Sequence, residues 1–152
     1  MEQDETLVVA KAIAEKILVL MGTEPQIIAK KDGQGISIEI NINNGGTIIG
    51  KDGKNLDALQ EIVQAIFFKK TSMRKRVMLD INGYRKRSID RLMNLAIDIA
   101  DKVAATKEEV ALKPMSAHER YLVHSFLQGD HRVTTISQGE GEARQVVVIP
   151  NE

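Results

Sequence analysis

The sequence predicts an α+β protein made of two consecutive small units, and three observations predict it. Segments with apolar residues at helical period alternate with segments of period-two apolarity, in the order αββαβ followed by αβαββ. The chain changes character at Asn82-Gly83, close to its midpoint, so each unit has about 75 residues. Its 152 residues are 43% hydrophobic and 28% charged, enough to fill two small cores, with no stretch near the roughly 20 apolar residues that span a bilayer.

Taken in order, residues 5–21 place apolar side chains at 9, 12, 13, 17 and 20, an amphipathic helix stopped by Gly22 and Pro25. Residues 26–42 read as a hairpin around Asp32-Gly33-Gln34-Gly35, with Ile36, Ile38, Ile40 and Ile42 on one buried face. Residues 54–69 return to helical period, with Leu56, Leu59, Ile62, Val63 and Ile66 on one side. A polar turn from Lys70 to Lys75 leads to a strand over 76–81. These elements make the first unit, residues 1–81, and a small antiparallel or mixed sheet is expected in it.

The second unit, residues 82–152, opens with a long helix over 84–106 whose apolar stripe runs through Leu92, Met93, Ala96, Ile97, Ala100, Val103 and Ala104. A short strand over 110–115 ends near Pro114. Ser116 and Glu119 form a capping box that opens a helix to Gln128, and Gly129 terminates it. Residues 132–138 and 143–149 close the chain as a second hairpin around Gly139-Glu140-Gly141-Glu142.

Composition excludes several kinds of chemistry. With no cysteine, disulfides, thiolate metal sites and cysteine nucleophiles are out, and a reducing compartment fits best. The N-terminus is acidic before it turns amphipathic, the reverse of a signal peptide, which points to the cytoplasm. The 21 basic and 21 acidic residues cancel overall but are segregated along the chain. Residues 1–68 hold 6 basic and 10 acidic groups, residues 69–91 hold 9 and 2, and residues 92–152 hold 6 and 9. A 23-residue segment at +7 is either a phosphate footprint or a solvated basic face.

The stretch GGTIIGKDGKNLDAL, residues 45–59, carries the most local information. Gly45, Gly50 and Lys51 satisfy most of a phosphate-binding P-loop, but Asp52 stands where a magnesium-holding Ser or Thr is needed, so nucleotide hydrolysis is rejected. From Gly50 the same residues read G-x-x-G and run directly into an apolar-faced helix, the pattern of a KH-domain loop. Two glycines permit a tight bend at a helix N-terminus, where backbone N–H groups and the helix dipole meet a phosphodiester, and Lys51 and Lys54 add charge. Such a loop clamps the backbone of about four nucleotides. An ordinary glycine-rich helix start is the competing reading.

In the second unit Arg120 and His124 lie four residues apart on one helical face. A guanidinium can grip a phosphate and an imidazole can donate to it or stack on a base, while a hydrogen-bonded structural pair explains the same spacing. His118-Glu119 begins a zinc motif, but Leu122 replaces the second ligand, so no metal is implied. No Ser or Asp is set beside His124 by the sequence, and no catalytic residue is assigned. The five scattered aromatics are too few for the stacking platforms of an RRM or OB-fold, and Phe67, Phe68, Tyr121 and Phe126 are expected in the core.

The G-x-x-G with its helix, LDINGYRKR, KPMSAHERYLVHSFL and the ending TTISQGEGEARQVVVIP together resemble the Jag family of bacterial proteins, which join a KH domain to an R-3-H domain. Arg120 and His124 match the Arg and His that name the latter. The resemblance covers nearly all of residues 26–150 and implies a non-enzymatic, cofactor-free protein that binds single-stranded RNA, with ssDNA as a second ligand. It also implies a cytoplasmic regulator connected with cell elongation and division, forming a homodimer or pairing with a smaller KH protein. One departure stands out: INNGGTIIG has glycines where a KH domain carries a short helix, so a shallow or rebuilt base groove is expected.

The expected binding residues are Gly50, Lys51, Asp52 and Gly53 on the sugar-phosphate backbone, assisted by Lys54. Arg85, Lys86, Arg87 and Arg91 continue the track, and Arg120, His124 and Arg144 receive phosphate or a terminal base. A protein-interaction module, with KH folds pairing through helix and strand edges, is the alternative from another class; a nuclease is a third.

Overall fold

The computed structural model describes residues 3–152, which form two compact units, one running through Arg85 and the other beginning at Lys86. In the first unit, helix α1 (Gln3–Leu20) buries Thr6, Ala10, Ile13, Ala14 and Leu18. The buried stripe is therefore rotated from the expected one, and Leu20 is exposed. Ala10 and Ala14 explain the rotation, because small residues let the helix backbone approach strand and helix neighbours closely. Gly22 ends the helix at φ +85, with its N–H on the Val19 carbonyl and the Thr23 N–H and hydroxyl on the Leu18 carbonyl.

Strands β1 (Gln26–Asp32) and β2 (Gly35–Asn41) form the expected hairpin, with Ile27 opposite Ile40 and Ala29 opposite Ile38. Strand β3 (Val77–Ile81) pairs with β2 in parallel, Ile36 against Val77, Ile38 against Leu79 and Ile40 against Ile81. The sheet, ordered β1-β2-β3, is mixed. Its parallel pair follows from the helices inserted between β2 and β3, since only a crossover returns the chain in the same direction. Ile36, Ile38 and Ile40 are buried, as their alternation indicates.

A short helix, α2 (Gly46–Ile49), precedes the glycine loop, where the sequence pointed to its loss. Its Ile48 and Ile49 are buried and anchor it despite the glycines. Gly45 is needed for close packing, because a Cβ there would lie 2.9 Å from Asn82 Nδ2. Helix α3 (Lys54–Thr71) buries Leu56, Leu59, Val63 and Phe67, whereas Ile62 faces solvent. Its Gln60 and Gln64 accept hydrogen bonds from the Leu79 and Val77 N–H groups at 2.9 and 2.7 Å, satisfying the open edge of β3.

In the second unit, helix α4 (Tyr84–Thr106), whose first two residues belong to the first unit, buries Ala96, Ala100 and Val103, and leaves Ile97 exposed. Strand β4 is only Val110–Ala111, because Pro114 has no N–H to donate, although the Leu112 and Met115 N–H groups still reach the Val146 and Arg144 carbonyls. Helix α5 (Ala117–Leu127) starts on the Ser116–Glu119 capping box, with bonds of 3.2 and 2.8 Å. Strands β5 (Val133–Gln138) and β6 (Gln145–Pro150) complete an antiparallel sheet ordered β4-β6-β5. The last strand is central, so Val146, Val147 and Val148 are all buried. Arg132 bonds to Asp130, whose carboxyl it holds down to about 2, and to Asp101 of α4 at 2.8 Å.

Phe67 is in the core, but three of the four aromatics expected there are not. Phe68, Tyr121 and Phe126 are 44%, 66% and 45% exposed. Helical geometry is the reason: buried Phe67 and Leu127 take the inward direction, turning their chain neighbours Phe68 and Phe126 away.

Candidate nucleic-acid interface

The bend between α2 and α3 has left-handed backbone at three of its four residues. Gly50 has φ 74, Asp52 φ 55 and Gly53 φ 74. Gly50 sits against Asn55, whose side-chain amide donates to the Thr47 carbonyl at 2.9 Å and so joins α2 to α3. Gly53 is buried against the Tyr84 ring, at the start of α4. Both glycines thus serve conformation and packing at once.

Between them Lys51 and Asp52 are exposed, as is Lys54 on the first turn of α3. Among the described residues neither Lys51 nor Lys54 forms an ion pair. The bend therefore presents two ammonium groups beside the positive end of an 18-residue helix. These are the features that attract a phosphodiester.

Arg85 is placed otherwise than on a phosphate track. Its Nε donates to the Leu79 carbonyl at 2.8 Å, one terminal nitrogen to Asp57 at 2.8 Å and the other to Gln60 at 3.1 Å. Its backbone N–H meets the Asp80 carboxylate at 3.1 Å. Three of five guanidinium N–H groups are spent inside the first unit, so Arg85 clasps α3 and β3 to the start of α4. Lys86, Arg87 and Arg91 are exposed on α4, with Arg87 and Arg91 one turn apart.

In the second unit, Arg120 and His124 share a face of α5 as their spacing requires. The imidazole is clipped to β5, with Nδ1 2.7 Å from the Thr135 hydroxyl and Nε2 2.8 Å from the Ser137 hydroxyl. Burial, and then the charge of Arg120, lower its pKa, which favours the neutral imidazole. Both ring nitrogens being engaged, His124 positions the helix on the strand instead of offering a free donor. Arg120 donates to the Met115 carbonyl at 2.7 Å, while the Met115 N–H donates to the Arg144 carbonyl at 3.2 Å. Arg144 in turn donates from its side chain to the Gly139 carbonyl at 2.8 Å, bracing the β5–β6 turn.

The structure gathers Arg120, His124 and Arg144 around Met115 and β5, and gathers the glycine bend, Tyr84 and Arg85 in the first unit. Sequence reading missed Asn55, Tyr84, Gln60, Thr135 and Ser137. Only the last two carried a signal, since residues two apart in a strand face the same way.

An R-3-H domain family model matches residues 90–150, which contain the Arg120–His124 helix. The chain is 42% identical over 114 residues to the RNA-binding protein KhpB of Clostridium symbiosum, covering 72% of this chain and 51% of that protein. It is 30% identical over 141 residues to the KhpB of Bacillus subtilis, covering 91% and 68%, and 40% identical over 103 residues to that of Lactiplantibacillus plantarum, covering 68% and 32%. The chain thus spans about half the length of the first of these relatives, a third of the last, and two thirds of the second. With the glycine bend, the R-3-H helix and similarity along nearly the whole chain in the same order, the chain belongs to the Jag (KhpB) family of bacterial proteins.

Proposed function

We propose that this chain binds single-stranded RNA without catalysing a reaction on it. The observation that carries the reading is the Gly50–Gly53 bend, locked in left-handed backbone by Asn55 and Tyr84 while Lys51 and Lys54 form no ion pair among the described residues. A preformed bend spends little entropy on binding, and backbone N–H groups read phosphate without regard to base. The relatives' name, RNA-binding protein, favours RNA over other polyanions, with ssDNA as the weaker ligand.

In this reading Gly50, Lys51, Asp52, Gly53 and Lys54 hold the sugar-phosphate backbone, and Lys86, Arg87 and Arg91 add positive charge on the second unit. Arg120 supplies charge on the second unit, with His124, Arg144 and Arg85 as positioning residues. The two units are a KH domain and an R-3-H domain acting in tandem, in a cytoplasmic regulator related to cell elongation and division. No helix among the described residues is long and apolar enough to cross a membrane.

A protein-pairing role is favoured by a separate observation. Strand β1 is a sheet edge, and beside it Leu7, Val8, Ile27, Ile28 and Ala29, with Lys11, line a shallow, mostly apolar groove in which Val8 and Ile28 are exposed. A second copy, or a smaller KH protein, fits such an edge. Salt separates the readings: binding of oligouridylate should weaken with a log-log slope of several phosphates, whereas apolar pairing should be flat or strengthen. A flat RNA titration would remove the RNA reading.

A further inference from the structure

The basic segment is only partly absorbed by α4. Five of its nine cations, Lys69, Lys70, Arg74, Lys75 and Arg76, lie in eight residues without an acid, at the far end of α3 from the glycine bend. Eighteen helical residues separate the two ends by roughly 27 Å. The clamp of about four nucleotides does not need this end of the helix.

The turn that bears these cations is rigidly built. Ser72 adopts φ 57 and its N–H donates to the Phe68 carbonyl at 2.7 Å; the Thr71 hydroxyl donates to the Phe67 carbonyl and accepts from the Met73 N–H. Phe68 is 44% exposed, and the Arg74 guanidinium carbon sits 5.7 Å from its ring centroid. Among the described residues none of the five cations has an ion pair, whereas Lys30, Arg85 and Arg132 all do. Lys69 and Lys70 complement the negative end of the α3 dipole. That role does not account for an exposed phenyl ring under a guanidinium, nor for Arg76 on the strand side.

An aromatic face beside unpaired cations is complementary to a nucleotide, whose base stacks and whose phosphate is neutralised. We infer that Phe68, Arg74 and the surrounding Lys69, Lys70 and Arg76 form a second contact for the same single-stranded RNA, engaged by strands too long for the clamp alone. The inference rests on the RNA-binding reading and extends its ligand from a short backbone grip to a longer strand.

The test compares fluorescent oligouridylates of about four and about 16 nucleotides by anisotropy, over a range of salt. The full chain carrying Lys69→Gln, Lys70→Gln, Arg74→Gln and Arg76→Gln should lose about tenfold in affinity for the long strand, with a salt slope smaller by about two to three. Phe68→Leu should lose about fivefold or more on the long strand with its slope unchanged. Affinity for the short strand and the urea midpoint should stay as in the unaltered chain. Unchanged long-strand affinity overturns the second contact while leaving the clamp intact; so does binding to phosphatidylglycerol vesicles that the quadruple variant abolishes while its RNA affinity holds. If the unaltered chain binds neither strand, the RNA reading itself fails and this contact with it.

Discussion

Gly53 lies against Tyr84 so closely that a Cβ on residue 53 would stand 2.8 Å from the ring's Cε1. The bend read as a phosphate clamp is thereby buttressed by the first residue of α4, thirty-one positions on in the chain. Loop shape and the start of the long helix are coupled through this one contact.

Gly53→Ala is expected to cost about 2–4 kcal/mol, about 1–2 from left-handed backbone and the rest from the Tyr84 contact. In a Tyr84→Ala background the same change should cost only the backbone part. Urea unfolding of the four proteins of the cycle checks this, and strict additivity would mean that the two residues do not press on each other.

Lys51→Asp places a second carboxylate next to Asp52 and should weaken oligouridylate binding by roughly 2–3 kcal/mol at low ionic strength. Filter binding is the measurement. Equal affinity of the variant and the unaltered chain would move the phosphate contact elsewhere.

Arg85→Ala should destabilise the first unit by about 1–3 kcal/mol, because the Leu79 carbonyl and Gln60 lose a charged donor. Its RNA affinity should change little. Lys86→Ala should do the opposite, leaving the unfolding midpoint in place and reducing affinity. A pattern with the two variants exchanged would return Arg85 to the phosphate track.

The lowered pKa of His124 makes stability pH-dependent in a definite direction. Below the ordinary histidine value of 6.5 the unfolded chain takes up a proton that the folded chain resists, so stability is full above that pH and declines as pH falls through the window beneath it. His124→Asn should flatten this part of the stability curve between about pH 7 and 5. Arg120→Gln, which removes the second cause of the shift, should move the His124 titration upward in an NMR experiment. No movement would separate the two side chains electrostatically.

Element order was legible from period alone, because burial on one face imposes 3.6-residue spacing on helices and alternation on strands. Glycine at 50 and 53, the capping box at Ser116 and the helix stop at Gly22 were legible too, since each is a local conformational demand that neighbours in sequence satisfy. The rotated face of α1, the exposure of Phe68 and Tyr121, and the helix at Gly46 to Ile49 were not, because side-chain burial there depends on partners distant in the chain.

The charge clusters make the same division. Sequence alone located the cations, the Arg120–His124 spacing and the bend that brings amide and ammonium groups together. Folding decided which charges remain available: Arg85 is consumed by Leu79, Asp57 and Gln60, and His124 by Thr135 and Ser137, while Lys51, Lys54 and the cations about Phe68 form no ion pair among the described residues. A charge is fixed by covalent structure, but whether it meets a carboxylate, a carbonyl or solvent depends on contacts that only the assembled chain creates.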